Sequence, residues 1–335
     1  MYDYIKKPKD ETTNAKKFSN YEPVPYLMFN NTPDVDIHIE SEQQRGVKGN
    51  LTHVVTNKYG FRYHDNLEVK KSNEVRIFLI GGSVVFKGLT NDRTISGYLE
   101  RMLNDRFGEK YFIRVINCGI VSAVSDQELA LLLYKVVDLK PDIVIVFDGF
   151  NDVYTPQYYE PRIGYPFNFV THEQTFNRVI DKLSSFDKLI SASMLAARIN
   201  KSFELKIKLE NMAGKYLKTE REKGSFSVEE VAGHLFSNWQ KMSKIADSYK
   251  FNIIFIVQPV NPAFREREGV KKYFDLLHDM IRKERGIGNK NYFSFSTLLG
   301  DHPEYFWDVV HTYDEGNYVY AEKMKDILIN YNYLR

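Results

Sequence analysis

Four short stretches of this chain hold the residue types of acyl-transfer chemistry. "IFLIGGSVVFKGL" sets Ser83 behind two glycines at the end of an apolar run. "VINCGI" brings Asn117 and Gly119 to the end of a second run. "VFDGFND" places Asn151 between Asp148 and Asp152, and "WDVVHTYDEGN" sets Asp308 and His311 three residues apart. A serine hydroxyl is a poor nucleophile until a base takes its proton, and imidazole, titrating near neutrality, suits that task. A carboxylate beside the imidazole fixes its tautomer and stabilises the imidazolium. The tetrahedral intermediate then needs donors for its oxyanion. Ser83, His311 and Asp308 match the first three roles. The backbone N–H groups of Ser83 and Gly119, with the Asn151 side-chain amide, match the last, and glycine at 119 lets backbone approach a substrate closely.

Residues so far apart in sequence need a scaffold that gathers them. "VRIFLI" (residues 75–80) reads as a buried strand. "TISGYLERMLNDRF" follows with Ile95, Leu99, Met102 and Leu103 at helical spacing, and "RVINCG" (114–119) reads as a second strand. "SDQELALLLYKVVDL" is a helix with a capping box at Ser125 and Glu128, stopped by Pro141. "DIVIVFDG" (142–149) is a third strand, "FNIIFIVQPV" (251–260) a fourth and "NYFSFS" (291–296) a shorter fifth. A helix closed by Gly286 and a last helix over 317–330 complete the alternation. Strand–helix–strand order implies parallel strands with right-handed crossovers. The expectation is an α/β, doubly wound core, residues 74–154 with 249–335, whose ligand sits beyond the carboxyl ends of the strands. Residues 1–73 read as an N-terminal arm, with short strands in "LTHVVTNKYGFRYH" around the turn at 57–60. Residues 155–248 read as a helical insertion and candidate lid, rich in helix formers over 186–217, with a second capping box at Ser227 and Glu230.

Composition narrows the class. The 335 residues are 43% hydrophobic and 27% charged, with a net charge of +2, so no nucleic-acid footprint is evident. The lone Cys118 forms no intrachain disulfide and excludes a cysteine zinc cluster. No run approaches the ~18 apolar residues of a membrane helix, and the first residues lack a signal-peptide core. The default expectation is a cytoplasmic chain, or an envelope-associated one if a native anchor has been trimmed.

Block by block, the chain resembles the SGNH hydrolases, the GDSL esterase/lipase superfamily. Gly81-Gly82-Ser83 matches the Gly-Asp-Ser block with glycine in place of aspartate. Gly119 matches the second block, Gly149-Phe150-Asn151-Asp152 the Gly-X-Asn-Asp block, and Asp308-Val309-Val310-His311 the Asp-X-X-His block. The resemblance implies a flavodoxin-like three-layer α/β/α sandwich with a central parallel sheet. It also implies Ser83 as nucleophile and first oxyanion donor, Gly119 and Asn151 as the other donors, and Asp308 with His311 completing a triad. "VTNKYGFR" before the Gly-Gly-Ser strand is similar in layout to SGNH proteins linked to bacterial surface polysaccharides.

Other readings fit less well. Gly81, Gly82 and Gly88 match neither a phosphate loop nor a dinucleotide loop. Val85 stands where the G-x-S-x-G elbow needs glycine. Ser83 as a helix cap and His311 as a core histidine are the bland alternatives. Asp148, Asp152, Asp308 and His311 as a metal set lack a ligand pair at the usual spacing, so no cofactor is expected. The aromatic cluster after Asn151, "YTPQYYEPRIGYPFNF", is read either as packing or as a surface that stacks on a sugar or acyl chain. The expected function is a serine esterase taking a small acyl group from a carbohydrate, the partner being a small-molecule or glycan ester. An O-acetyltransferase with the same triad, and a non-catalytic binding module on this fold, are the competing readings.

Overall fold

Strands that are apolar on both faces have no side to leave in water, so they collect in the middle of a parallel sheet. The computed structural model describes residues 18–40, 51–160, 162–169 and 226–334. Four short arm strands come first: β1 (Glu22–Val24), β2 (Met28–Asn30), β3 (Val35–Glu40) and β4 (Leu51–Thr56). The core strands follow: β5 (Glu74–Gly81), β6 (Phe112–Gly119), β7 (Ile143–Asp148), β8 (Asn252–Val257) and β9 (Tyr292–Ser294). They form one parallel sheet in the order β6-β5-β7-β8-β9. Counted from β5, that is the 2-1-3-4-5 order of the flavodoxin-like fold. Ile77 to Ile80, Val144 and Phe147 are wholly enclosed.

The helices are α1 (Ser83–Phe86), α2 (Ile95–Phe107), α3 (Ser125–Leu131), α4 (Phe150–Tyr158), α5 (Val228–Tyr249), α6 (Pro262–Arg265), α7 (Glu268–Gly286) and α8 (Asp314–Asn330). α2 packs with α8, and α5 packs with both α3 and α7, giving the two outer layers. Thr94 caps α2 by accepting from the Gly97 amide (3.1 Å). The capping box at Ser227 and Glu230 forms, each side chain bonding the other's backbone amide. Among the described residues, no helix is long and apolar enough to cross a membrane.

Two local expectations change. β4 pairs antiparallel with the upstream β3, not with the segment after the 57–60 turn. That later segment reaches the core instead, through a bridge between Arg62 and Asn117. Within the 155–248 segment, residues 170–225, and with them the helix-rich stretch, lie outside the described residues. α5 lies on the sheet, its Trp239 stacked on Phe255 of β8 at 5.2 Å between ring centroids.

β5 and β7 are neighbours, yet the chain leaves β5 for β6 before crossing back. This is the topological switch, where the crossover connections part and leave a crevice at the carboxyl ends. Ser83 follows β5 and Asn151 follows β7, so both stand at that crevice.

Candidate active site

Ser83 opens the single turn of α1, where the first N–H groups have no intrahelical partner. The turn closes through Phe86 N to Gly82 O (3.2 Å) and Lys87 N to Ser83 O (2.9 Å). The Asn117 side chain braces it by donating to Val85 O (2.7 Å). The loop beyond is held by Arg62, which is almost fully buried. Its guanidinium donates to Phe86 O (2.8 Å), Gly88 O (2.9 Å), His53 O (3.0 Å) and Asn91 Oδ1 (3.1 Å). Burial works against that charge and lowers its pKa to about 9, so the four oxygens are what compensate it. Sequence reading missed Arg62, because one arginine in a polar arm carries no periodicity.

The imidazole beside Ser83 comes from the far end of the chain. One carboxylate oxygen of Asp308 accepts from the amides of Val310 (2.9 Å) and His311 (2.7 Å), which folds the four residues into a tight turn. The other lies 2.6 Å from His311 Nδ1. The imidazole Nε2 lies 2.7 Å from Ser83 Oγ. These partners assign Nδ1 as the protonated nitrogen and Nε2 as the acceptor of the serine proton. Burial opposes the Asp308 charge, but the bonds from His311 and the two amides outweigh it and hold its pKa below the usual carboxylate range. Trp307 stacks on the imidazole, 4.9 Å between centroids and 16° from parallel, which limits its rotation.

Asn151 sits in the first turn of α4, and its Nδ2 donates to Ala123 O (2.7 Å). A Cβ at position 82 would lie 2.4 Å from that Nδ2. Glycine at 82 is therefore what lets the Asn151 amide lie against the serine turn. The Gly119 amide already has a partner in this structure. Its amide donates to Asn117 Oδ1 (3.1 Å) and its carbonyl accepts from Asn31 Nδ2 (2.8 Å). A Cβ there would lie 2.4 Å from Phe86 N, so this glycine seats α1 on the end of β6. Backbone strain at this rim falls on Ser122, with φ +63, whose hydroxyl lies 3.2 Å from Tyr21 Oη.

Beneath Asn151 lies a second group of acids. Glu128, Asp148 and Asp152 are all buried. Ser125, expected as a helix cap, sits inside α3 and donates its hydroxyl to Asp152 (2.6 Å). Asn238 of α5 in turn donates to that hydroxyl (2.9 Å). Desolvation, then the charges of neighbouring carboxylates, push Glu128 and Asp152 well above the ordinary carboxyl range. Asp148 and Asp152 thus belong to this cluster, while Asp308 belongs to His311. Among the described residues, no group of histidine, cysteine, aspartate or glutamate is arranged to hold a metal ion.

No family model matches the chain, and no curated protein sequence matches it. Solved structures do resemble it. An acetylxylan esterase from Geobacillus stearothermophilus is 16% identical, with 78% of this chain and 96% of that one covered, at a TM-score of 0.47. An α/β hydrolase enzyme from the metagenome of Lake Arreo, Spain, is 19% identical over 76% and 94% of the two chains, TM-score 0.45. A G-D-S-L family protein from Desulfitobacterium hafniense DCB-2 is 13% identical over 76% and 99%, TM-score 0.43.

Proposed function

We propose that this chain is a serine esterase of the SGNH type. The observation that carries the reading is the relay Ser83 Oγ–His311 Nε2 (2.7 Å) and His311 Nδ1–Asp308 (2.6 Å), built from residues 228 positions apart. Ser83 Oγ attacks the ester carbonyl carbon as its proton passes to His311 Nε2. Asp308 stabilises the imidazolium. The Ser83 amide and the Asn151 side chain hold the developing oxyanion. The imidazolium then protonates the leaving alcohol oxygen, and the carbonyl re-forms as an acyl-serine. Water, losing a proton to His311, attacks that ester, and collapse returns the proton to Ser83.

The ester proposed is a small acyl group, acetyl-like, on a carbohydrate. Tyr154, Tyr158 and Tyr159 along and just past α4 offer hydroxyl-bearing rings beside the site. Water is the acceptor proposed; a lid within 155–248 that excluded it would favour transfer to a sugar hydroxyl, and residues 170–225 of that segment lie outside the described residues.

Hydrolysis of p-nitrophenyl acetate tests the reading. Ser83→Ala and His311→Ala should each lower kcat by about 10³-fold or more while folding is kept, the scale set by removing a triad member. Equal turnover by Ser83→Ala and the parent protein removes the assignment.

A further inference from the structure

The helix that carries Asn151 also carries a row of aromatic rings. Phe150, Tyr154 and Tyr158 are four residues apart and so share one face of α4. Phe150 and Tyr154 stack at 4.7 Å and 23°, and Tyr154 and Tyr158 follow at 4.5 Å and 36°. Exposure rises along the row: Phe150 is 5% exposed, Tyr154 is partly buried and Tyr158 is 54% exposed. Tyr159, 43% exposed, lies against Tyr154 at 5.9 Å. Phe167 continues from Tyr159 at 4.7 Å, and Tyr21 of the arm from Phe167 at 5.8 Å. Two turns of helix carry the rings roughly 11 Å from the oxyanion residue.

Burial accounts for Phe150 but not for two tyrosines that α4 leaves half open. Burial, then the neighbouring Tyr159 and Tyr158, raise the Tyr154 pKa, and Asp308 lies close enough to add its charge. The row therefore runs without a break from the Asn151 turn to solvent. A ring face that is apolar, with a hydroxyl at its wet edge, matches a sugar, whose C–H faces are apolar and whose rim is hydroxylated. A track for a long acyl chain would need an enclosed aliphatic lining, whereas the outer rings here are tyrosines open to water.

We propose that Tyr158 and Tyr159 form a glycan subsite, in which a pyranose ring of the ester's alcohol part stacks as the acyl group faces Ser83; Tyr154, already held between Phe150 and Tyr158, backs these rings, and the proposal rests on the esterase reading. The test compares the parent protein with Tyr158→Ala/Tyr159→Ala, both exposed positions, and with Tyr158→Phe/Tyr159→Phe. The substrates are p-nitrophenyl acetate, p-nitrophenyl octanoate and acetylated xylo-, malto- and chito-tetrasaccharides. The alanine pair should raise KM about tenfold for the oligosaccharide turned over best, with kcat and p-nitrophenyl acetate kinetics unchanged. The phenylalanine pair should keep most of that affinity. Unchanged KM in the alanine pair overturns the subsite. So does cleavage of p-nitrophenyl acetate with none of the oligosaccharides. An octanoate preference that vanishes in the alanine pair would assign the rings to an acyl chain and overturn it equally. Saturation-transfer NMR with the deacetylated tetrasaccharides needs no turnover and separates the two proposals. Transfer seen with the parent and lost in the alanine pair supports the subsite even if no ester is cleaved, and no transfer with the parent overturns it.

Discussion

Asp308 divides its work between its two oxygens. One ties the Val310 and His311 amides into a turn, and the other meets Nδ1 of the imidazole. The three-residue spacing visible in the sequence is what that turn requires. Gly82 is the other residue whose identity the geometry explains, since any Cβ there meets Asn151 Nδ2 at 2.4 Å. The amide cannot swing away without losing its bond to Ala123 O. Gly82→Ala should therefore lower kcat/KM for p-nitrophenyl acetate by on the order of 10–100-fold, with little change in Tm, because small displacements of positioning groups cost that much. Full activity in Gly82→Ala would show that Asn151 does not act at the oxyanion. The residue types of the relay were legible in the sequence because serine, histidine and aspartate announce their chemistry. The commitment of the Gly119 amide to Asn117 was not, because a motif names a residue without saying where its N–H points.

α3 and α4 meet over three buried carboxyl groups. The Ser125–Glu128 spacing reads as a capping box, yet Ser125 is already one residue inside the helix and both side chains turn inward to Asp148 and Asp152. Sequence spacing is the same for a cap and for an inward-facing pair, and only packing distinguishes them. Burial, and then the charges of Asp148 and Asp152, raise the Glu128 pKa well above the ordinary carboxyl range. A carboxyl whose folded pKa is raised contributes stability that is present below its unfolded value of about 4.5 and is lost as pH rises through the folded value. Glu128→Gln, which cannot ionise, should match the parent at pH 4 and melt higher at pH 8–9. The gain can grow by up to about 1.4 kcal/mol per pH unit between the unfolded and folded values. A Glu128→Gln variant that melts lower than the parent at pH 9 would mean that the glutamate is ionised and held by a cation.

The parallel core strands and the helices between them were readable, since buried parallel strands are continuous apolar runs and helices repeat every third or fourth residue. The arm was not, because β3 and β4 pair across residues 41–50 and Arg62 acts through backbone oxygens that no sequence pattern marks. Arg62 is where the arm grips the loop behind Ser83. Arg62→Met would take a donor from three backbone oxygens, Asn91 Oδ1 keeping the Val55 amide, and each unmet group costs about 1–3 kcal/mol when it stays buried. The expected outcome is a Tm lowered by several degrees and a kcat lowered about tenfold, as the 86–91 loop behind Ser83 loosens. A variant with unchanged Tm and kcat would make the arm an appendage. The central claim is that arm, sheet and C-terminal loop converge to make Ser83 nucleophilic. Its most direct test is fluorophosphonate labelling of the folded protein, read by intact mass and peptide mapping. One adduct on Ser83, absent in Ser83→Ala and strongly slowed in His311→Ala, is the predicted result. A folded protein that takes no adduct, or labels equally in Ser83→Ala, would contradict it.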